Sequence, residues 1–315
     1  MGHSMSTEAR WRRFTDWAKH RPWLLSIADR FTRGTAPFRV LDHWPRLPRP
    51  IRPDTTGWET REQAACWLGH STLLIRIAGK TVLTDPVFSP RLGLGFGLFT
   101  LGPRRLIAPA LSIDQLPAID VILLSHAHMD HLDRPSLRRL AKRFPRATVV
   151  ALDGLRDLVD GLGFVSISEL PVGESVTLDG LNVSTLATRH WGARTLRDTH
   201  RGYGSFLLSN ATGGRILYGA DAAFHEHWDH LSPTGGVDLA IIGIGAYDPW
   251  IDGHANPEQA YAMARACGAR RMMPVHHSTF VLSREPLDEP LKRLTGHAKL
   301  HDSPTIVGSV MGSIV

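Results

Sequence analysis

The sequence predicts a mixed α/β fold that carries its chemistry on loops at the C-terminal ends of strands. Three observations point there. Asp120-Val121-Ile122-Leu123-Leu124 reads as a buried strand and runs straight into Ser125-His126-Ala127-His128-Met129-Asp130-His131. Leu132-Asp133-Arg134-Pro135-Ser136 then reads as a helix start, with proline early in the first turn. Further along, two more strand-like runs end on single ligand-type groups, His190 and Asp221.

Three imidazoles and a carboxylate within six positions form a dense ligand set, of a type that suits zinc, iron or manganese. At this chain's own His and Asp frequencies, the pattern His-x-His-x-Asp-His arises by chance well under about 1% of the time. His126 and His128, two apart, can point the same way from an extended turn. Asp130 and His131, adjacent, can turn toward a second ion. One ion does not need four such groups in one loop and distal ligands besides.

Composition bounds the rest. A chain of 315 residues allows one large domain or two small ones. With 43% hydrophobic and 21% charged residues it reads as an ordinary globular protein. No apolar run approaches the roughly 18 residues of a membrane span. The N-terminus is basic and Trp-rich without an apolar core, so no secretory signal is expected. Met1-Gly2-His3-Ser4 reads as an added leader, with the natural start at Met5. Cys66 and Cys267 sit in apolar surroundings outside any paired motif and read as buried free thiols of a reducing compartment. Residues 1–54 hold eleven Lys and Arg against five Asp and Glu, so they carry the whole net charge of +6 and the remainder is balanced.

In chain order, Trp11, Phe14, Trp17 and Ala18 fall at helical spacing among Arg10, Arg12, Arg13, Lys19 and Arg21. Such a stretch either packs its aromatic stripe on the body, the reading we favour, or lies on an anionic membrane surface. Residues 34–57 hold Pro37, Pro45, Pro48, Pro50 and Pro53 and read as an extended connector. Ala64–Leu68 reads as a strand, and 73–77 with 81–84 as a hairpin closed at Ala78-Gly79-Lys80. His70 follows the first strand and either caps the turn, the reading we favour, or lines the site. Gly alternates with Leu and Phe over 89–105, which favours no regular element; the loop is either a lid over substrate or buried beneath the arm. Helices are expected at 134–144 and 154–162, with a strand at 147–151 between them and strand segments over 165–188. Strands at 204–209 and 215–218 end at Asp221, a carboxylate placed to bridge two ions. His225, His227 and His230 are expected on a helix in surface roles, since their spacing does not share one face. Asp238–Gly243 reads as a buried strand leading to a loop with Tyr247, Trp250 and His254, before a helix starting at Asn256-Pro257. Strand 271–275 leads to His276-His277, one of which is expected as the last ligand; a helix at 286–294 and a terminal strand close the chain.

Several blocks then occur in an ordered series. They are Trp67-Leu68-Gly69-His70-Ser71-Thr72, Asp85-Pro86-Val87-Phe88-Ser89, Gly102-Pro103-Arg104, the His-x-His-x-Asp-His loop, His190-Trp191 followed by Arg194-Thr195-Leu196, Gly245-Ala246-Tyr247-Asp248-Pro249 and His276-x-x-Thr279-Phe280. Over roughly 36–310 they resemble the N-acyl phosphatidylethanolamine-hydrolysing phospholipase D branch of the metallo-β-lactamase fold superfamily. The ascorbate-6-phosphate lactonase group shares several of them. The resemblance implies a four-layer αββα sandwich at 58–315, preceded by the arm and connector at 1–57. It implies that His126, His128 and His190 hold one ion, that Asp130, His131 and His276 hold the other, and that Asp221 bridges. His276 is preferred over His277 because it stands three before Thr279. His254 matches a histidine that lines the family's catalytic pocket. Ala220 and Ala223 stand where the family has glycines, and the arm has no clear counterpart.

The function so implied is a dinuclear metal-dependent hydrolase, with zinc expected and manganese or iron open. A hydroxide shared by the two ions would attack a phosphodiester of an N-acyl phosphatidylethanolamine-like lipid. Asp130 would hold its ion and orient the nucleophile's proton, and His254 would donate to the phosphate or the leaving group. Trp191, Tyr247, Trp250 and Arg104 are the candidates for substrate contact. The alternative is a lactonase or hydrolase of a small cyclic ester. Nucleic-acid binding is not expected, because the excess charge is confined to the arm. A cytoplasmic protein, peripheral to the membrane through the arm, is the expected setting. The sequence assigns no oligomeric state.

Overall fold

A computed structural model describes residues 49–315 apart from Gly97, Leu98 and Leu196. The expected helical arm and the connector up to residue 48 lie outside the described residues. The chain leaves the connector at Trp58, which is fully buried and donates its indole N–H to Thr81 Oγ1 at 3.2 Å.

A meander comes first: β1 (Ala64–Gly69), β2 (Thr72–Ile77) and β3 (Lys80–Thr84). A small hairpin, β4 (Leu94–Phe96) and β5 (Phe99–Leu101), stands in the Gly-rich stretch expected to lack regular structure. Next come β6 (Val121–Leu124), α1 (Arg134–Arg143), β7 (Thr148–Leu152), α2 (Arg156–Val159) and β8 (Ser166–Leu170). These strands form one six-stranded sheet in the order β1-β2-β3-β6-β7-β8, antiparallel through β3 and parallel from there on. The second half holds β9 (Ser175–Leu178), β10 (Leu181–Leu186), β11 (Ser205–Ser209), β12 (Arg215–Tyr218) and β13 (Val237–Gly243). It ends with α3 (Pro257–Ala266), β14 (Ala269–Val275), α4 (Glu289–Ala298) and β15 (Thr305–Ile306). Its seven strands run β15-β14-β13-β12-β11-β10-β9, parallel between β12 and β15.

The period of two along a strand divides the second sheet's side chains between two cores. Phe206, Leu208, Ile216, Tyr218, Leu239, Ile241, Met273 and Val275 join the first sheet's Leu74, Leu83 and Ile122 in the central core. Their neighbours Leu207, Leu217, Ala240, Ile242 and Met272 face the opposite way, onto Ala260, Tyr261 and Ala264 of α3 and Leu294 of α4. Leu137 and Leu140 of α1 bury against the first sheet's core. Two sheets face to face with helices outside them make the αββα sandwich.

Three expected helices differ. The helix at 154–162 shrinks to the single turn of α2, because Asp160 leaves the helical region (ψ 139°) and Gly161 takes a φ of 74°. Residues 225–228 are irregular and only Asp229–Thr234 coils, as a 3-10 segment with Pro233 inside it. The last helix begins at Glu289 with Pro290 in its first turn, and runs to Ala298 instead of 294.

The strands that bear the site leave their sheets through left-handed corners. His70 after β1 (φ 54°), Asp85 after β3 (31°), Ala220 after β12 (50°), Ala246 after β13 (64°) and His276 after β14 (60°) all have positive φ. A left-handed conformation costs a non-glycine residue on the order of 1–2 kcal/mol, so the surrounding packing must hold these corners. They turn the chain toward the edge where the two sheets meet.

Candidate metal centre

The metal-ligand loop follows β6. Asp85, buried at the end of β3, shapes it. Ser125 donates to Asp85 twice, from its backbone N–H at 2.8 Å and from its hydroxyl at 2.5 Å. Tyr218 donates its hydroxyl to the same carboxylate at 2.6 Å, and His131 donates Nδ1–H at 2.7 Å. A carboxylate holding Nδ1–H turns the histidine's Nε2 outward as a ligand atom. On the other side Arg194 donates to the carbonyls of Ala127 and Leu132, at 2.9 and 2.8 Å, and ties down the loop.

Two donor groups converge there. In the first, His126 Nε2 stands 2.9 Å from His128 Nδ1, which stands 3.3 Å from His190 Nε2. Asp221 Oδ2 faces this group, 3.8 Å from His126 and 3.7 Å from His190. His190 donates Nδ1–H to Gly253 O at 2.8 Å, which leaves its Nε2 bare. In the second group, Asp130 Oδ2 lies 3.7 Å from His131 Nε2 and 3.4 Å from His276 Nε2. Asp221 reaches both of these histidines as well, Oδ2 to His131 at 3.1 Å and Oδ1 to His276 at 3.2 Å. Asp221 is thus the carboxylate shared by the two groups. His70 also belongs to the second group, and within each group the ligand atoms lie within 4.8 Å of one another.

This donor set fits metal ions. Bonds of about 2.0–2.2 Å put neighbouring ligands on one ion roughly 3 to 3.5 Å apart, and the separations here, 2.9 to 3.8 Å, bracket that spacing. Both oxygens of Asp221 and the Nε2 atoms of His131 and His276 are buried without a hydrogen bond. Their ion-pair distances are short, yet the atoms are not aligned on one another but aimed at a common space. The electrostatics agree. Burial drives His126 well below the usual imidazole range and takes His128 down to about 3. Burial also opposes charge on His131 and His276, but Asp221 and Asp130 outweigh it, holding His131 well up and bringing His276 to about 9. Asp130 and Asp221 stay far below the ordinary carboxylate value despite burial, chiefly because of His131. The cluster is built to hold positive charge.

His254 overhangs both groups, its Nδ1 3.8 Å from Asp221 Oδ2 and its ring 5.1 Å from His190 and 5.2 Å from His276. Burial holds it well below the ordinary imidazole value, so it is neutral at pH 7. Trp191 lies edge-on to His128 at 4.5 Å. The remaining expected substrate contacts are placed differently. Tyr247 donates its hydroxyl to Glu289 at 2.6 Å under the guanidinium of Arg293, and Trp250 donates its indole N–H to Leu282 O at 3.1 Å. Arg104 is exposed and bridges to Arg91, and the alternation of that bridge turns the next residue, Arg105, inward over Phe280 at 4.7 Å. Sequence reasoning placed Asp85 and Arg194 in the ordered blocks without a role in the site, passed over Tyr218, and favoured a turn role for His70. Asp85 carried one signal, an acid at a strand end just before proline, which also marks ordinary turns.

Residues 80–277 match the family described as Beta-lactamase superfamily domain. The chain belongs to the metallo-β-lactamase superfamily. At this level it is a metal-dependent hydrolase of the metallo-β-lactamase fold, with His/Asp clusters able to hold metal. Among relatives in the superfamily, an uncharacterised protein of Mycobacterium tuberculosis is 32% identical over 262 residues, covering 81% of this chain and 69% of that one. The N-acyl-phosphatidylethanolamine-hydrolyzing phospholipase D 1 of Caenorhabditis elegans is 29% identical over 272 residues, covering 79% of this chain and 74% of that one. Among solved structures, a metallo hydrolase from Ignicoccus hospitalis has a TM-score of 0.61 at 16% identity, covering 80% of this chain and 97% of that one, a likeness of fold.

Proposed function

We propose that this protein is a dinuclear phosphodiesterase of phospholipase D type, acting on N-acyl phosphatidylethanolamine-like lipids. The observation that carries the reading is the shared carboxylate: Asp221 faces two complete donor groups at once, with a neutral imidazole at its edge. The likeness to the nematode phospholipase over most of the chain supports the lipid class. His126, His128 and His190 would hold the first ion, Asp130, His131 and His276 the second, and Asp221 both. When bound, two divalent ions supply Lewis acidity and a water acidic enough to act at neutral pH; we take zinc as the native metal.

The protein's own groups do the rest. Asp130 keeps an oxygen toward the second group and, held ionised, accepts a hydrogen bond that orients the proton of an attacking water. Neutral His254 donates an N–H to a phosphate oxygen, and Trp191 walls the first group. Hydrolysis adds water across the P–O bond to the N-acylethanolamine and leaves phosphatidic acid. The setting proposed is cytoplasmic; of the two roles open to the basic arm at 1–57, contact with an anionic membrane surface is the one that would bring a lipid substrate to the site. Among the described residues no helix is long and apolar enough to cross a membrane.

The test is metal content with turnover of bis-p-nitrophenyl phosphate, an N-acyl phosphatidylethanolamine and a lactone panel, in wild type and Asp221→Ala. Two ions and metal-dependent release of phosphatidic acid, lost in the variant, are expected. Lactone opening without phosphodiester cleavage would refute the phospholipase reading in favour of a lactonase.

A further inference from the structure

We infer that His70 is a positioning residue of the second metal group, holding one donor from each sheet in register. The inference rests on the dinuclear reading above. His70 sits at the left-handed corner between β1 and β2 and is almost wholly buried. Its Nε2 lies 3.0 Å from Asp130 Oδ2. An ionised carboxylate only accepts, so Nε2 carries the proton and donates it. That hydrogen bond fixes Asp130, the donor on the β6 loop of the first sheet. The backbone of His70 fixes the donor from the second sheet. His276 donates its N–H to His70 O at 3.1 Å, and the two rings pack 4.1 Å apart.

His70 is itself held from several sides. Its N–H donates to Thr279 Oγ1 at 2.9 Å, and Trp67 donates its indole N–H to His70 O at 2.7 Å. Phe280 packs edge-on against the imidazole at 5.2 Å, beneath the buried guanidinium of Arg105. A ring so confined cannot swing away from Asp130. Outer hydrogen bonds of this kind commonly change metal affinity about 10–100-fold.

The experiment titrates Zn2+ into metal-free wild type, His70→Leu and His70→Gln, against a competing chelator. Melting of the metal-free proteins shows that each variant is folded. His70→Leu removes the donor and keeps bulk; His70→Gln keeps an N–H. The expected result is two zinc ions at saturation in all three proteins, with one site unchanged. The other loses roughly 10–100-fold in affinity in His70→Leu and recovers part of it in His70→Gln. Wild-type affinity at both sites in His70→Leu would overturn the inference. So would a ceiling of one ion in both variants, which would make His70 a ligand. A wild type that takes up no zinc would overturn the dinuclear reading itself.

Discussion

Asp85→Asn is the sharpest perturbation of the site, because it exchanges a single oxygen for an amide nitrogen. Asp85 Oδ1 accepts from the Ser125 backbone, and Oδ2 accepts from the Ser125 hydroxyl, the Tyr218 hydroxyl and His131 Nδ1–H. An asparagine keeps its oxygen toward the backbone N–H and places its amide toward the other three. Two of those are hydroxyls, which can rotate to accept. The third is not. His131 accepts at Nδ1 only by moving its proton to Nε2, the atom that faces Asp130 and Asp221. The variant therefore either offers the ion a protonated nitrogen or leaves two N–H groups opposed. Losing the orienting carboxylate should weaken the second ion about 10–100-fold, roughly 1.4–2.7 kcal/mol. Losing the His131 hydrogen bond to a charged acceptor should lower metal-free stability by about 1.5–3 kcal/mol. Zinc titration against a chelator reads the first quantity and urea unfolding of the metal-free protein the second. An Asp85→Asn protein that binds both ions as wild type does would refute the tautomer argument.

Other outcomes follow from the same geometry. Gly245→Ala places a Cβ 2.3 Å from His276 O, so it should push the last ligand out of place; a stability loss of about 1–3 kcal/mol and weaker uptake of the second zinc are expected in the same titration. Arg194→Ala releases the carbonyls of Ala127 and Leu132 and should weaken both ions, with a stability loss of about 2 kcal/mol by urea unfolding. In the metal-free protein His276 is raised to about 9, so its proton stabilises the fold fully below the unfolded value near 6.5, and that stability fades as pH rises through 9. Zinc must displace that proton, so its apparent affinity should climb between pH 7 and 9, with proton release visible as a buffer-dependent binding heat. Removing metal with a chelator should lower Tm, and a Tm indifferent to zinc concentration would count against a site formed only in the folded chain.

What the sequence made legible was whatever repeats a periodic or local rule. The apolar runs of β6, β13 and β14 are buried on both faces, and they showed as runs. The dense loop at 126–131 announced metal chemistry because its donors are adjacent in the chain. His190, Asp221 and His276 were reachable because each follows a strand that could be seen, although the strands stop at Leu186, Tyr218 and Val275, up to four residues short of the ligand. The failures have equally local causes. A helix read over 154–162 stopped one turn in, at Val159, where Asp160 turns extended and Gly161 takes positive φ. Arg104 was preferred to Arg105, although one step along an extended segment decides which of them faces inward.

The supporting residues were hidden for a different reason. Asp85 and His70 act through partners 40 to 60 positions away, Ser125 and Asp130, and no spacing rule joins them. Both also occupy left-handed corners, where a sequence reading expects glycine or asparagine and sees an ordinary turn. Such corners are strained, and strain persists only where surrounding contacts fix it. Each has such contacts: four hydrogen bonds on the Asp85 carboxylate, and Thr279, Trp67 and Phe280 around His70. The ligands themselves are therefore the legible half of the centre. Its precision resides in buried residues whose local conformation is unfavourable and whose partners come from the other strands of the sandwich, a combination that only the folded chain displays.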